Sequence, residues 1–354
     1  MKTVIVNASR SYDILIENNS LRKAGKEISK RVPACTAAIV TDSIVDALYA
    51  ETLSASLQQA GFHVVKFVFQ SGESSKNLAV FGQILEFLAQ QQLTKSDLVV
   101  ALGGGVTGDM AGFAASVYLR GIRLVQIPTT LLAAIDASVG GKTAVNLAAG
   151  KNLAGTFYQP GFVLCDPATF ATLPEAVFAE GVAEAIKYGV IASPRLFDKL
   201  AGGNAHNDLE DSIEQCISIK RDLVMRDEFD NGDRQLLNFG HTIGHAVEHC
   251  SGYSITHGYA VAIGMALIST AAWRLGLSET DCSGPIKACL AANHLPVSSP
   301  FTVEQLAGAA LHDKKRRQDS MNLVIPQKIG QCVLYQIPVS ALPDFIREGV
   351  GKEP

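Results

Sequence analysis

Asp97-Leu-Val-Val-Ala-Leu-Gly103-Gly-Gly105-Val-Thr-Gly108-Asp109 runs without a break into Met110-Ala-Gly-Phe-Ala-Ala115. An apolar run, then glycines, then an alanine-rich stretch is the order strand, turn, helix, and Gly103, Gly105 and Gly108 match G-x-G-x-x-G in the context that motif requires. Residues without a Cβ let the backbone approach a pyrophosphate, while the helix start offers free N–H groups and a partial positive charge. An isolated motif is more often a structural turn; the flanking strand and helix turn the reading toward a dinucleotide. No acid stands about 20 residues beyond the last glycine, where a Rossmann fold holds the ribose. The ribose is therefore expected to meet Asp42 or Glu73 instead.

Outward from this turn, β-branched runs at Thr3–Val6, Asp13–Ile16, Thr36–Thr41, His63–Phe69, Leu98–Leu102 and Arg123–Ile127 alternate with helical patterns at Ile44–Gln59 and Ala79–Gln91. Such alternation predicts a parallel sheet with crossover helices. From about Pro174 the strand signals stop, and helices are expected at Glu175–Ala192, Asp208–Asp227, Gln235–His249, His257–Leu275 and Gly284–Ala292. Only Asn322–Pro326 and Cys332–Gln336 look extended. The expected fold is α/β: a Rossmann-like domain over residues 1–173 and a mostly helical domain over 174–354, with a ligand cleft between them.

The 354 residues agree with about two domains. At 47% hydrophobic and 18% charged, against a typical ~25% charged, the chain is a packed protein and not a disordered one. A net charge of −4 gives no overall attraction for nucleic acid or an anionic membrane, so an anionic ligand must be met by local cations. Seven cysteines without C-x-x-C spacing read as reduced thiols of a cytoplasmic protein. The N-terminus lacks the apolar core of a signal peptide, and Gly258–Trp273 is too short to span a bilayer.

Two further blocks carry chemistry. Gly140-Gly-Lys142 and Gly150-Lys-Asn152, in a segment nearly free of other charge, suit an anion held partly by backbone amides. Gly141-Lys-Thr143 is not a P-loop, because Ala137 stands where that motif needs glycine. In the helical half, Glu180, Glu184 and Lys187 share one face, a pattern that is usually a solvated ion-pair stripe. Four of the eight histidines fall between 241 and 257, with His241, His245 and either Glu248 or His249 on one face and His257 opening the next helix. That clustering suits a zinc-type metal or a proton-transfer site, though spacing alone does not say which histidines are ligands. A metalloprotease H-E-x-x-H is excluded, since Thr242 follows His241. The basic run Lys314-Lys-Arg-Arg317 reads as a surface or an anion-binding lid.

Together, GGGVTGDMAGFAASVYLRG, QIPTTLLAAIDASVGGKTAVN, GKNLAGTFYQP, EGVAEAIKYGVI and RQLLNFGHTIGHAVEH resemble the bacterial 3-dehydroquinate synthase family, in order, from about Ile39 to Pro326. The resemblance implies conversion of 3-deoxy-D-arabino-heptulosonate 7-phosphate to 3-dehydroquinate and phosphate, with NAD⁺ and a divalent metal, zinc or cobalt, in a homodimer. It implies Glu184, His241 and His257 as metal ligands and His245 as a proton-transfer residue. Dinucleotide contacts would be Asp42, then Ser71, Gly72, Glu73, Ser74, Ser75 and Lys76, then Gly105, Val106, Thr107, Gly108 and Asp109. Thr129, Thr130, Lys142, Lys151, Thr169, Phe170, Ala171 and Thr172 complete that set. Substrate contacts would be Arg120 (across a dimer interface), Asp136, Lys142, Asn152, Lys187, Lys220, Arg234, Asn238 and Lys314. Of these, Lys142, Lys187, Lys220, Arg234 and Asn238, with Asp230 and His245, are the catalytic expectations. Asp230 replaces the family's usual Glu, and Arg316-Arg317-Gln-Asp departs from its usual lid sequence.

Three rivals remain. Sister cyclases act on other sugar phosphates, a silent NAD-binding protein would lack some of these polar residues, and an iron-type polyol dehydrogenase would reduce NAD⁺ in net terms.

Overall fold

The computed structural model describes residues 1–314 and 319–351, without the side chains of 312–314. The chain divides into two compact units, Met1–Leu173 with Lys220–Phe229, and Pro174–Ile219 with Asp230–Pro354. The second domain expected as one continuous stretch therefore yields ten residues to the first. Their side chains give the reason. Glu228 accepts from Ser9 N at 2.7 Å, Ser9 Oγ at 2.6 Å and Gln159 Nε2 at 2.8 Å, and Phe229 packs edge-on against Phe157 with ring centroids 5.4 Å apart.

Unit 1 is built on strands β1 (Lys2–Asn7), β2 (Ser11–Ile16), β3 (Thr36–Asp42), β4 (His63–Phe69), β5 (Leu98–Gly103), β6 (Arg123–Pro128), β7 (Lys142–Leu147), β8 (Gly150–Phe157) and β9 (Phe162–Cys165). Its helices are α1 (Ala24–Ser29), α2 (Ser43–Val45), α3 (Glu51–Gln59), α4 (Leu78–Gln90) and α5 (Gly105–Val117), with a π turn Asp46–Ala50 joining α2 to α3. Seven strands form one sheet in the order β1-β2-β9-β6-β5-β3-β4, parallel except for β1 at the edge. Successive residues of β5 point to opposite faces. Leu98, Val100 and Leu102 pack with Ile28, Leu53 and Leu57, whereas Val99 and Ala101 pack with Ile84, Leu88, Met110 and Ala114. Both faces are covered, which is why the central strands read as continuous apolar runs. The four-residue β9 is too short to carry a periodic signal, and the lysine block, on which the sequence set no strand, is the antiparallel hairpin β7–β8.

Unit 2 contains α6 (Glu175–Ala192), α7 (Pro194–Ala201), α8 (Leu209–Arg226), α9 (His241–Cys250), α10 (His257–Arg274), α11 (Ser283–Ala292), α12 (Val303–Lys314) and α13 (Leu342–Val350), with the hairpin β10 (Ser320–Lys328) and β11 (Gln331–Pro338). From Lys220 onward α8 belongs to unit 1. The helix expected over Gln235–His249 is broken: Asp233–Asn238 is a 3-10 turn, and Gly240, at φ +83°, reverses the chain before α9. A Cβ on Gly264 would lie 1.9 Å from Gly240 O, so two glycines let α10 press directly against this turn.

Candidate active site

In unit 1 the implied dinucleotide residues gather at the C-terminal ends of parallel strands, where open α/β sheets take their ligands. β3 ends at Asp42, whose Oδ1 accepts from Ile44 N and Val45 N and so caps α2. β5 ends at Gly103, where a Cβ would lie 2.4 Å from Thr107 Oγ1. α5 begins with Gly104 as its cap, and no side chain there accepts from the first-turn N–H groups. Gly108 faces Gln126 on β6, where a Cβ would meet Oε1 at 2.9 Å. Thr129 follows β6 and donates its N–H to Gly103 O, while Thr130 Oγ1 accepts from Ala133 N.

Ser71, Gly72, Glu73, Ser74, Ser75 and Lys76 form a turn after β4, with Glu73–Ser75 in 3-10 geometry and Gly72 at φ +114°. Lys76 is buried, and its Nζ lies 2.5 Å from both Asp109 Oδ2 and Asn152 Oδ1. Burial pushes the Asp109 carboxyl above its ordinary value, against the pull of the Lys76 charge. The Thr169–Thr172 turn is held by Tyr49, whose hydroxyl donates to Thr169 O at 2.8 Å. Phe170 of that turn is buried, Ala171 is exposed, and Lys151 is partly buried on β8 beside the exposed Asn152.

Lys220 and Asp136, distant in sequence, meet: Lys220 Nζ lies 2.8 Å from Asp136 Oδ1 and donates to Asp136 O at 2.6 Å. Lys142 is exposed at the start of β7, and Arg120 is exposed with left-handed backbone at φ +64°.

In unit 2, Glu184 and Lys187 are each 1% exposed and form an ion pair, so this face of α6 is core and not the solvated stripe that its pattern suggests. Glycines again set the distances. A Cβ on Gly258, at the start of α10, would meet Glu180 Cα of α6 at 2.4 Å, and one on Gly244 would meet Ala260 O at 3.1 Å. This packing brings ligand atoms of Glu184, His241 and His257 within 4.8 Å of one another. Glu184 Oε1 lies 3.7 Å from His241 Nε2 and 3.5 Å from His257 Nε2. The other ring nitrogens are engaged elsewhere: His241 Nδ1 faces Phe239 O at 3.1 Å, and His257 Nδ1 faces Glu248 Oε2 at 3.2 Å. That fixes both Nε2 atoms toward Glu184, the arrangement metal-binding imidazoles adopt.

The electrostatics fit a cation. Burial, with the Lys187 charge, drives His241 down to about 3, leaving the neutral ring a metal requires. Burial works against charge on His257 too, but its hydrogen bonds to Glu184 and Glu248 prevail and raise it to about 10, so positive charge is favoured at that point. One carboxylate and two imidazoles suit zinc or cobalt and leave a coordination position for substrate.

His245 is exposed, its ring centroid 5.5 Å from that of His241 and 6.1 Å from that of His257. Arg234 is buried, Asn238 exposed and Asp230 partly buried, the last at φ +62°. The expectation for the Lys314 side chain lies outside what is described. Two residues went unweighed beforehand as supports. Asn146 is uncharged and belongs to no motif of its own, and Glu248 is expected only as a candidate ligand.

The chain as a whole is similar to known proteins. A family model described as 3-dehydroquinate synthase N-terminal matches residues 66–180, and one described as 3-dehydroquinate synthase C-terminal matches 181–316. The 3-dehydroquinate synthase of Streptococcus suis (strain 05ZYH33) is 44% identical over 98% of this chain and 100% of its own. Among solved structures, 2-deoxy-scyllo-inosose synthase complexed with carbaglucose-6-phosphate, NAD⁺ and Co²⁺ has a TM-score of 0.88 at 28% identity, covering 98% of this chain and 100% of its own. The 2-epi-5-epi-valiolone synthase ValA of Streptomyces hygroscopicus, with NAD⁺ and Zn²⁺ bound, has a TM-score of 0.87 at 28% identity, covering 97% and 98%. The sheet that ends in a glycine turn, the carboxylate-and-imidazole centre and a near-full-length relative agree: the chain belongs to the 3-dehydroquinate synthase family.

Proposed function

We propose that this protein is a 3-dehydroquinate synthase, a phosphate-eliminating cyclase that converts 3-deoxy-D-arabino-heptulosonate 7-phosphate to 3-dehydroquinate and phosphate with no net change in NAD⁺. The observation that carries the reading is the convergence of Glu184, His241 and His257 in a chain whose relatives bear that name over nearly their whole length. When bound, NAD⁺ and a divalent zinc or cobalt ion supply transient hydride acceptance and Lewis acidity.

The chain's own residues do the rest. Glu184 Oε1 and the Nε2 atoms of His241 and His257 would hold the metal, and Lys187, paired with Glu184 Oε2, offsets part of the Glu184 charge. The N–H groups opening α5 hold the dinucleotide phosphates, with Asp42, the Gly72–Lys76 turn, Thr129, Thr130, Lys142, Lys151 and the Thr169–Thr172 turn completing its contacts. Lys142, Asn152, Lys187, Lys220, Arg234, Asn238 and Lys314 meet the phosphate, carboxylate and hydroxyls of the substrate, Arg and Lys serving as charged donors. Asp136 holds Lys220 Nζ in place. His245, exposed beside two imidazoles, carries protons to and from solvent. Asp230 is the shorter carboxylate at the family's proton-accepting position.

The reading extends to a cytoplasmic homodimer. Among the described residues no helix is long and apolar enough to cross a membrane. Leu153 and Phe157 of β8 are 58% and 41% exposed and Leu119 is 41% exposed; Thr156 of β8 bonds to Ser116 of α5, so β8 runs beside the end of that helix. Apolar surface on an edge strand is unusual unless a partner covers it. A second subunit there would also receive Arg120.

The test is to incubate metal-loaded protein with the heptulosonate phosphate and NAD⁺ and to follow phosphate and dehydroquinate together. Stoichiometric formation of both without NADH build-up is expected. Turnover with sedoheptulose 7-phosphate or glucose 6-phosphate alone would assign a sister cyclase, and accumulating NADH a dehydrogenase.

A further inference from the structure

Within unit 1, the residues assigned above to the dinucleotide and to the substrate meet at a side chain that belongs to neither set. Asn146, in β7, donates its backbone N–H to Lys76 O at 2.9 Å and pairs with Asn77 in an isolated parallel bridge. Its Nδ2 donates to Glu73 Oε1 at 2.7 Å, and its Oδ1 accepts from Asn152 N at 2.9 Å. Asn152 has left-handed backbone at φ +56°, and its own Oδ1 receives Lys76 Nζ at 2.5 Å. The turn that carries Glu73 and Lys76 and the strand that carries Asn152 are thus closed onto one carboxamide. At this length only a carboxamide offers a donor and an acceptor on neighbouring atoms.

Resting on the assignment of Glu73 and Lys76 to NAD⁺ and of Asn152 to substrate, we propose that Asn146 is a positioning residue that couples the binding of the two ligands. Ordering the Glu73–Lys76 turn around the dinucleotide fixes Asn146, and Asn146 fixes the Asn152 backbone. Linkage makes the effect reciprocal, so each ligand tightens the other by the same factor.

The experiment is titration calorimetry on metal-loaded wild type, Asn146→Ala and Asn146→Asp. The probes are NAD⁺ and a substrate analogue whose bridging phosphate oxygen is replaced by methylene, so that phosphate cannot leave; each is titrated alone and in the presence of the other. Wild type is expected to show mutual tightening of about 5-fold or more. Asn146→Ala brings the factor close to 1 while the solo affinities change less than about 10-fold and the metal content holds. Asn146→Asp keeps the acceptor for Asn152 N but sets a carboxylate against Glu73, so it too loses the coupling. Weaker solo binding with the factor unchanged, which a merely structural role gives, overturns the proposal, as does a wild-type factor of 1. Failure of wild type to bind NAD⁺ overturns the functional reading itself and this inference with it.

Discussion

Unit 1 carries its polar residues on turns beyond a finished apolar sheet, whereas unit 2 carries its own inside the helix packing. Lys76, Glu73 and Asn152 hang from a turn and a hairpin, and the sheet beneath them is closed on both faces without their help. Glu184 and Lys187 are among the most buried side chains of α6, and the glycines that bring α6, α9 and α10 together also bring the ligand atoms together. In the first unit a site change should therefore read out in binding. In the second, site and core are one object, and a change to either should read out in both.

The largest effect expected is at the centre itself. His257→Ala removes one of three donors, and the protein should emerge from dialysis without stoichiometric zinc or cobalt while NAD⁺ affinity is largely kept. Metal analysis beside an NAD⁺ titration checks this, and unchanged metal content would end the ligand assignment. Gly264→Ala comes next, although it touches no ligand. Its methyl would stand 1.9 Å from Gly240 O, a backbone atom with no freedom to retreat, so about 3 kcal/mol or more of stability should go, with metal affinity falling alongside. Urea unfolding at constant m-value measures the first quantity and chelator competition the second. Stability lost with metal affinity intact would separate what the comparison joins.

Much of unit 1 was legible because its signals are local: the glycines follow a strand and precede a helix within thirteen residues, and β-branched runs mark the central strands. What was missed there had no local signal. β9 is four residues long, and the β7–β8 hairpin carries lysines and glycines in place of a continuous β-branched run. In unit 2 five helical stretches were legible, but α7, α12 and α13 had no expectation set on them, and the break at Gly240 was not legible because its cause is the close approach of Gly264, 24 residues on. The same holds for Glu184 and Lys187. A charged i, i+3 pair reads as a solvated stripe, and only the helices packed over it make it core. The metal-type ligand set came from family resemblance, since spacing alone left Glu248 and His249 as open alternatives.

Glu248 offers a finer test of how rigidly unit 2 holds its centre. Its Oε2 faces His257 Nδ1, and Glu248→Gln keeps the shape while removing the charge that orients the ring. Metal affinity should fall about 10–100-fold with the fold intact, a loss measured by competition with a calibrated zinc chelator. An affinity within twofold of wild type would show that packing alone orients His257.

The smallest effect belongs to unit 1 and probes the sheet apart from its site. Asp97 closes the turn that enters β5: its Oδ2 accepts from Thr94 N at 2.6 Å and Thr94 Oγ1 at 2.8 Å, and its Oδ1 from Thr36 N at 2.8 Å. Burial on its own would push this carboxyl up, but the Thr94 and Thr36 hydrogen bonds, with the Arg123 charge, prevail and hold it below the ordinary value. A carboxyl held low in the folded state adds stability that is fully present above its unfolded pKa, about 3.8, and is lost as pH falls through the folded value. Asn cannot replace it, because one half of the amide would turn N–H groups toward N–H donors. Asp97→Asn should cost about 1–3 kcal/mol at pH 7, and the gap to wild type should close as the pH is taken below about 4. NAD⁺ affinity measured at pH 7 on the folded variant should stay within about twofold of wild type. A gap independent of pH would show that shape and not charge closes the turn. Loss of NAD⁺ affinity would show that the sheet and the turns above it are not the separable layers that distinguish this unit from its neighbour.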